Sequence, residues 1–183
     1  PPQSPGQVLG AKDAPACLLP NGCVLCVAGP VDGVKKHYLT PTYFFEFDPV
    51  SSNLTAITNP PNSGREPYEG RMLLLPTGQV LFSNGTHEIE VYTPDGTADA
   101  SWRPQITGFP SNVRPGHRYT LHGRQLNGLS QAVSYGDDAS MATNYPLVRI
   151  RNIANNKIFY CRTHDHSTMG LQTGTVIHST QFT

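Results

Sequence analysis

The chain has 183 residues, enough for one large domain or two small ones. Lysine plus arginine equals aspartate plus glutamate at 13 each, so no basic field is present to hold nucleic acid or an anionic membrane. Gly and Pro, at 17 each, combine with a lack of sustained helical periodicity to indicate an all-β chain rich in turns. No apolar run approaches the ~20 residues needed to cross a bilayer as a helix.

The first residues, Pro1-Pro2-Gln3-Ser4-Pro5-Gly6, hold neither Met nor a hydrophobic leader. Either a leader was removed or this is a piece of a longer protein. Two acceptor sequons, Asn53-Leu54-Thr55 and Asn84-Gly85-Thr86, fit a secreted, extracytoplasmic chain.

Cys17-Leu18-Leu19-Pro20-Asn21-Gly22-Cys23-Val24-Leu25-Cys26 reads as an apolar strand, a tight turn and a second apolar strand. Arg71-Met72-Leu73-Leu74-Leu75-Pro76-Thr77-Gly78-Gln79-Val80-Leu81-Phe82 repeats the phrase. A further strand ending in Pro follows each copy: Tyr43 to Asp48 before Pro49, and Glu88 to Thr93 before Pro94. An internal repeat of one antiparallel unit points to propeller blades. The first copy carries an insertion, Pro30 to Thr42, and a Pro/Gly-rich crossing from Asn59 to Pro67 joins the copies.

Three of the four cysteines (Cys17, Cys23, Cys26) fall in the first hairpin and Cys161 lies far downstream. Cys17 and Cys23 flank a turn and could approach, whereas Cys23 and Cys26 fall on opposite faces of a strand. Small buried hydrophobes are the preferred reading over a disulfide or a metal knuckle.

The pattern changes near Trp102. Arg103 to Phe109, Arg118 to Gly123, Ala132 to Tyr135, Leu147 to Asn152, Lys157 to Arg162 and Thr175 to Phe182 read as short strands of a β-sandwich. The expected domains are therefore 1–102 and 103–183.

The repeat phrase, with its strand ending in Pro, resembles the Kelch-type blades of the galactose oxidase and glyoxal oxidase family. Arg103-Pro104-Gln105-Ile106-Thr107, Tyr135-Gly136 and Pro146-Leu147-Val148-Arg149 resemble the immunoglobulin-like (E-set) C-terminal domain of those enzymes. The resemblance spans nearly the whole chain but only the last blades and C-terminal domain of such proteins. It implies two four-stranded Kelch-like blades followed by an immunoglobulin-like β-sandwich. Those oxidases hold copper through two Tyr and two His. Where the family places a Tyr-His pair this chain has Tyr68-Glu69, and after Tyr135-Gly136 it offers Ser140 where a His is expected. Carboxylate and hydroxyl are poor substitutes for imidazole around copper. The chain thus looks like a branch of the family lacking the copper ligands, and no cofactor is favoured.

Two segments are richer than a bare sandwich requires. One runs from Leu126 to Pro146 and supplies Asp137, Asp138, Asn144 and Tyr145 as candidate ligand-binding residues. The other, Thr163 to Gly170, holds His164 and His166, which share a face if the chain is extended. With Asp137 they could hold copper or zinc; the favoured reading is a polar network stapling a loop. Tyr68 and Glu69 are the catalytic candidates, and Glu66, Glu69, Asp137 and Asp138 are the carboxylates available for glycosidic work. No nucleophile elbow or phosphate cradle is present.

Two blades alone would leave an apolar flank in water, expected on Leu18, Leu19, Val24 and Leu25 or on Phe44, Phe45 and Phe47. Self-association or contact with further blades is the expected consequence. The sequence reading is a non-catalytic binding or assembly protein, with carbohydrate as its small partner by resemblance. The alternatives are a metal-dependent oxidoreductase and a carboxylate-based glycoside hydrolase.

Overall fold

A computed structural model describes residues 7–11, 13–31, 39–129, 131–133 (backbone only), 145–171 and 174–183. The chain is all-β, with antiparallel sheets and, among the described residues, two single-turn 3-10 helices. It forms two compact units, Pro1–Gly96 with Ser130–Thr143, and Thr97–Leu129 with Asn144–Thr183. Trp102 therefore lies inside the second unit, and the chain returns to the first unit after Leu129.

In the first unit the strands are β1 (Leu9–Gly10), β2 (Ala16–Leu18), β3 (Val24–Pro30), β4 (Tyr43–Asp48), β5 (Asn53–Ala56), β6 (Arg71–Leu74), β7 (Val80–Ser83) and β8 (Ile89–Tyr92). The second unit holds β9 (Gln105–Gly108) and β10 (Tyr119–Arg124), then after β11 (Gln131–Val133), β12 (Arg149–Arg151), β13 (Ile158–Tyr160), β14 (Thr163–His164) and β15 (His178–Phe182). One sheet runs β11-β2-β3-β4-β5, with β1 paired to β3, and a second runs β6-β7-β8. The strand expected at Ala132 to Tyr135 as part of the C-terminal sandwich instead pairs with β2, in register Ala132 to Cys17. A strand of only three residues carries no mark of its partner, so only tertiary structure assigns it. The second sheet has three strands among the described residues, where four were expected.

The two hairpin phrases fold alike. Leu19 N–H donates to Cys23 O and Gly22 N–H to Leu19 O; Leu75 N–H donates to Gln79 O and Gly78 N–H to Leu75 O. Gly22 and Gly78 sit at φ 88° and 84°, the left-handed conformation that closes a three-residue hairpin loop and suits glycine.

The faces of the sheets follow from register. Cys17, Leu25 and Glu46 align across β2, β3 and β4, with Val27 opposite Phe44 on the same face. On the second sheet Leu74, Val80 and Tyr92 align, as do Met72, Phe82 and Glu90. These faces meet in one core of Cys17, Leu19, Leu25, Val27, Phe44, Met72, Val80 and Phe82. Phe44 meets Phe82 edge to face at 4.9 Å. Burial of each such large side chain contributes about 1.5–3 kcal/mol. Leu19, Leu25, Phe44 and Phe45, expected on an open flank, are buried. The open apolar face is on the second sheet instead, where Leu73, Val91 and Ile89 are 43, 52 and 60 % exposed.

The second unit has the sheet β14-β15-β10-β9 and the hairpin β12-β13 around Leu121, Leu126, Val148 and Phe182. Tyr119, Leu121 and Gly123 on β10 oppose Phe182, Thr180 and His178 on β15. A register shift between His122 and Gly123 bends β10 against β9. Gly123 is required there, because a Cβ would lie 2.5 Å from Gln105 O and 2.6 Å from a Leu126 methyl. Gly123→Ala is expected to cost about 1–3 kcal/mol in urea unfolding. Gly64→Ala, where no atom lies within 4 Å, should stay within about 0.5 kcal/mol of the parent.

Candidate functional site

Tyr68 and Glu69 lie in a 3-10 turn, Pro67–Glu69, entered through an extended Glu66 with Pro at its first position. Pro cannot donate, and the first N–H of a helix has no internal acceptor, so it starts such a turn at no cost. Gly70 closes it, with its N–H on Pro67 O. A Cβ on Gly70 would sit 2.9 Å from the Phe82 ring and 3.1 Å from Pro15, so the turn is seated on the core. Arg71 Nη1 donates to Tyr68 O at 2.9 Å and Gly70 O at 2.8 Å. Glu69 Oε2 accepts from Arg65 Nη1 at 3.2 Å. Glu69 is thus held by a local ion pair on a braced turn.

A second polar group joins the two sheets of the first unit. Tyr92 on β8 donates its hydroxyl proton to Glu46 Oε2 on β4 at 2.5 Å. Burial first, and then the Glu46 carboxylate, push the Tyr92 phenol well above its ordinary value. Glu46 interrupts the aromatic run Tyr43-Phe44-Phe45-Glu46-Phe47 at an inward position. That mismatch is the sequence signal that could have singled it out.

In the second unit the segment after β14 is fastened residue by residue. Asp165 has φ 49°, which breaks the extended alternation expected to put His164 and His166 on one face. Aspartate tolerates this left-handed conformation better than most residues. His164 Nδ1 lies 2.9 Å from Asp165 Oδ2 and its Nε2 lies 3.2 Å from Thr183 Oγ1. His166 Nδ1 lies 2.9 Å from Thr180 Oγ1. Ser167 N–H donates to Ser179 O, and Ser179 N–H donates to Ser167 Oγ. Buried Asn127 donates through Nδ2 to Thr168 O at 3.0 Å and Gly170 O at 2.9 Å. The hydrogen bond to His164 holds the Asp165 carboxyl below the usual range.

Among the ligand candidates, Tyr145 is 48 % exposed and its ring lies 6.0 Å from that of His166. These two are brought together. Asp137, Asp138 and Asn144 lie outside the described residues, as does Ser140. Among the described residues no group of three or more His, Cys, Asp or Glu is placed to hold a metal ion. Asn127 and Thr180 were missed as key residues. Thr180 had a legible signal, since His178, Thr180 and Phe182 occupy every second position of β15 and all three are buried.

All four cysteines are free thiols. Cys17 lies wholly inside the core, and burial pushes its thiol up to about 12. Burial also raises Cys23, Cys26 and Cys161.

No family model matches the chain, and no curated protein or solved structure matches it.

A thiol or phenol that holds its proton more tightly when folded stabilises the fold fully below its unfolded value. That contribution disappears as pH rises through the folded value. Denaturant midpoints should therefore fall as pH rises from about 9 toward about 12, the range of Cys17, with Tyr92 acting in the same direction. Cys17→Ala should decline less steeply over that range. Equal slopes would remove Cys17 from the account.

Proposed function

We propose that this chain is a non-catalytic binding and assembly module acting outside the cytoplasm. In this reading its two sheets are Kelch-like propeller blades and its second unit an immunoglobulin-like domain of galactose-oxidase type. One observation carries the assembly role. Aligning the Leu-Leu-Pro-x-Gly-x-Val-Leu phrases makes Cys17 equivalent to Leu73 and Leu25 to Leu81. Aligning the strands that end in Pro makes Glu46 equivalent to Val91. Both alignments agree with the registers, in which Leu25 opposes Glu46 and Leu81 opposes Val91.

The first sheet packs this face against the second sheet, and the second sheet leaves the same face open. Conversely, Leu74, Val80 and Tyr92 are packed, while their equivalents Leu18, Val24 and Phe47 are half-buried beside an exposed Leu54. In this reading the exposed face of the second sheet and the half-buried outer face of the first are unlike halves of an interface already made once within the chain. A second copy would dock head to tail, the Leu73-Leu81-Val91 face of one on the Leu18-Val24-Phe47-Leu54 face of the next. Such a contact is heterologous and extends or closes according to its rotation. The carboxylate that replaces imidazole at Glu69, tied to Arg65, supports the non-catalytic half of the reading.

Sedimentation velocity tests this. The parent chain is expected to associate with rising concentration, and both Leu73→Asp/Val91→Asp and Leu54→Asp should be monomeric. Mixed together, the two variants should form a 1:1 dimer, because each retains the half that the other lacks. A parent monomeric at all concentrations, or variants that fail to complement, would contradict head-to-tail docking. Copper or zinc bound at one per chain, and lost in His164→Ala/His166→Ala, would instead favour the oxidoreductase alternative.

A further inference from the structure

The two acceptor sequons occupy opposite environments. Asn84 is 2 % exposed, and its Nδ2, the atom to which a glycan would be attached, donates to Asn62 O. Asn62 is itself 7 % exposed and reaches Glu88 O through its own Nδ2. A sugar on Asn84 would have to expel this side chain and unlatch the segment around Asn62 from the end of β7. Glycosylated Asn84 is incompatible with the fold.

Asn53 begins β5 directly after the turn that joins it to β4. That turn is fixed by Asp48, which accepts from Val50 N–H at 2.9 Å and from Ser51 Oγ at 2.6 Å. Ser52 follows at φ 58° and swings the chain into β5. Asn53, Leu54 and Thr55 are all exposed, and alternation along the strand puts Asn53 and the Thr55 hydroxyl on one face. β5 also ends the order of its sheet. A free sheet edge is a site for unwanted strand pairing, and bulk or charge at the edge opposes it.

We propose that Asn53 carries an N-linked glycan in the folded protein and that Asn84 does not. The inference rests on the extracytoplasmic reading above, since attachment needs a lipid-pyrophosphate-linked oligosaccharide. In the transfer, Asn53 Nδ2 bonds to the anomeric carbon of the sugar as the bond from that carbon to the pyrophosphate oxygen breaks. The electron pair leaves with the lipid pyrophosphate, and one amide proton passes to a base of the transferase. The glycan then lies along the β5 edge of the first sheet, on the face of the strand opposite to Leu54.

The test is expression of the full chain behind a cleavable secretory leader in a eukaryotic host. Release by a glycan amidase in heavy-oxygen water then hydrolyses each occupied asparagine to an aspartate carrying the heavy oxygen, which peptide mass mapping locates. The leader supplies the compartment, so the result reports on the two asparagines and not on the natural location. Asn53 should be marked in both secreted and retained pools, with any marked Asn84 confined to the retained pool. Asn53→Gln should remove the glycan from secreted protein, and Asn84→Gln should leave it in place. Marked Asn84 in secreted protein, or unmarked Asn53 in both pools, would overturn the assignment.

Discussion

The edge-to-face contact of Phe44 with Phe82, in one core with Leu25, Val27, Met72 and Val80, is the contact on which the first unit depends. It joins unlike faces of two copies of one repeat. A repeated sheet that used the same face twice would leave no apolar surface to continue the stack. In the proposed stacked reading, each sheet packed this way round would offer one face to a preceding neighbour and one to a following one. The exposed row on β6 and β8 is the surface that this reading assigns to a following neighbour.

Around that dry centre the polar groups serve mainly to hold backbone in place. Tyr92 on β8 and Glu46 on β4 pin the two sheets to each other. Thr42 Oγ1 donates to Arg65 O at 2.8 Å and fixes the crossing segment before the Pro67 turn. In the second unit Asn127 and Thr180, both buried, hold the loop from Asp165 to Gly170 against β15. Unsatisfied polar groups in such places would cost about 1–3 kcal/mol each, so these side chains are structural requirements of the loops they touch. A loop held this firmly presents a fixed surface, and on it Tyr145 and His166 stand together.

Part of this was legible in the residues and part was not. The two Leu-Pro-x-Gly hairpins were readable because a left-handed glycine two residues after proline dictates the turn, and the apolar runs beside it are too short for helices. Which face of each strand would be covered was not readable. Val24 and Val80 occupy equivalent places, yet one is half-buried and the other fully buried, since the neighbour decides and not the local alternation. The destination of Gln131–Val133 was hidden for the same reason. For the candidate site, extended alternation predicted a shared face for His164 and His166. The single left-handed residue at Asp165 overturned it, a conformation that aspartate permits but does not announce. The fate of Asn84 was also invisible, because an Asn-Gly pair reads as an exposed turn until Asn62 is seen to receive its amide.

Everything about the free face follows from the claim that the two repeats pack through unlike faces at Phe44 and Phe82. A double-mutant cycle with Phe44→Leu and Phe82→Leu, read by urea unfolding of the full chain, measures that contact directly. An edge-to-face pair of this kind should show a coupling of about 0.5–1.5 kcal/mol. Effects that simply add, to within about 0.3 kcal/mol, would mean that the rings do not meet and that the packing described here is wrong.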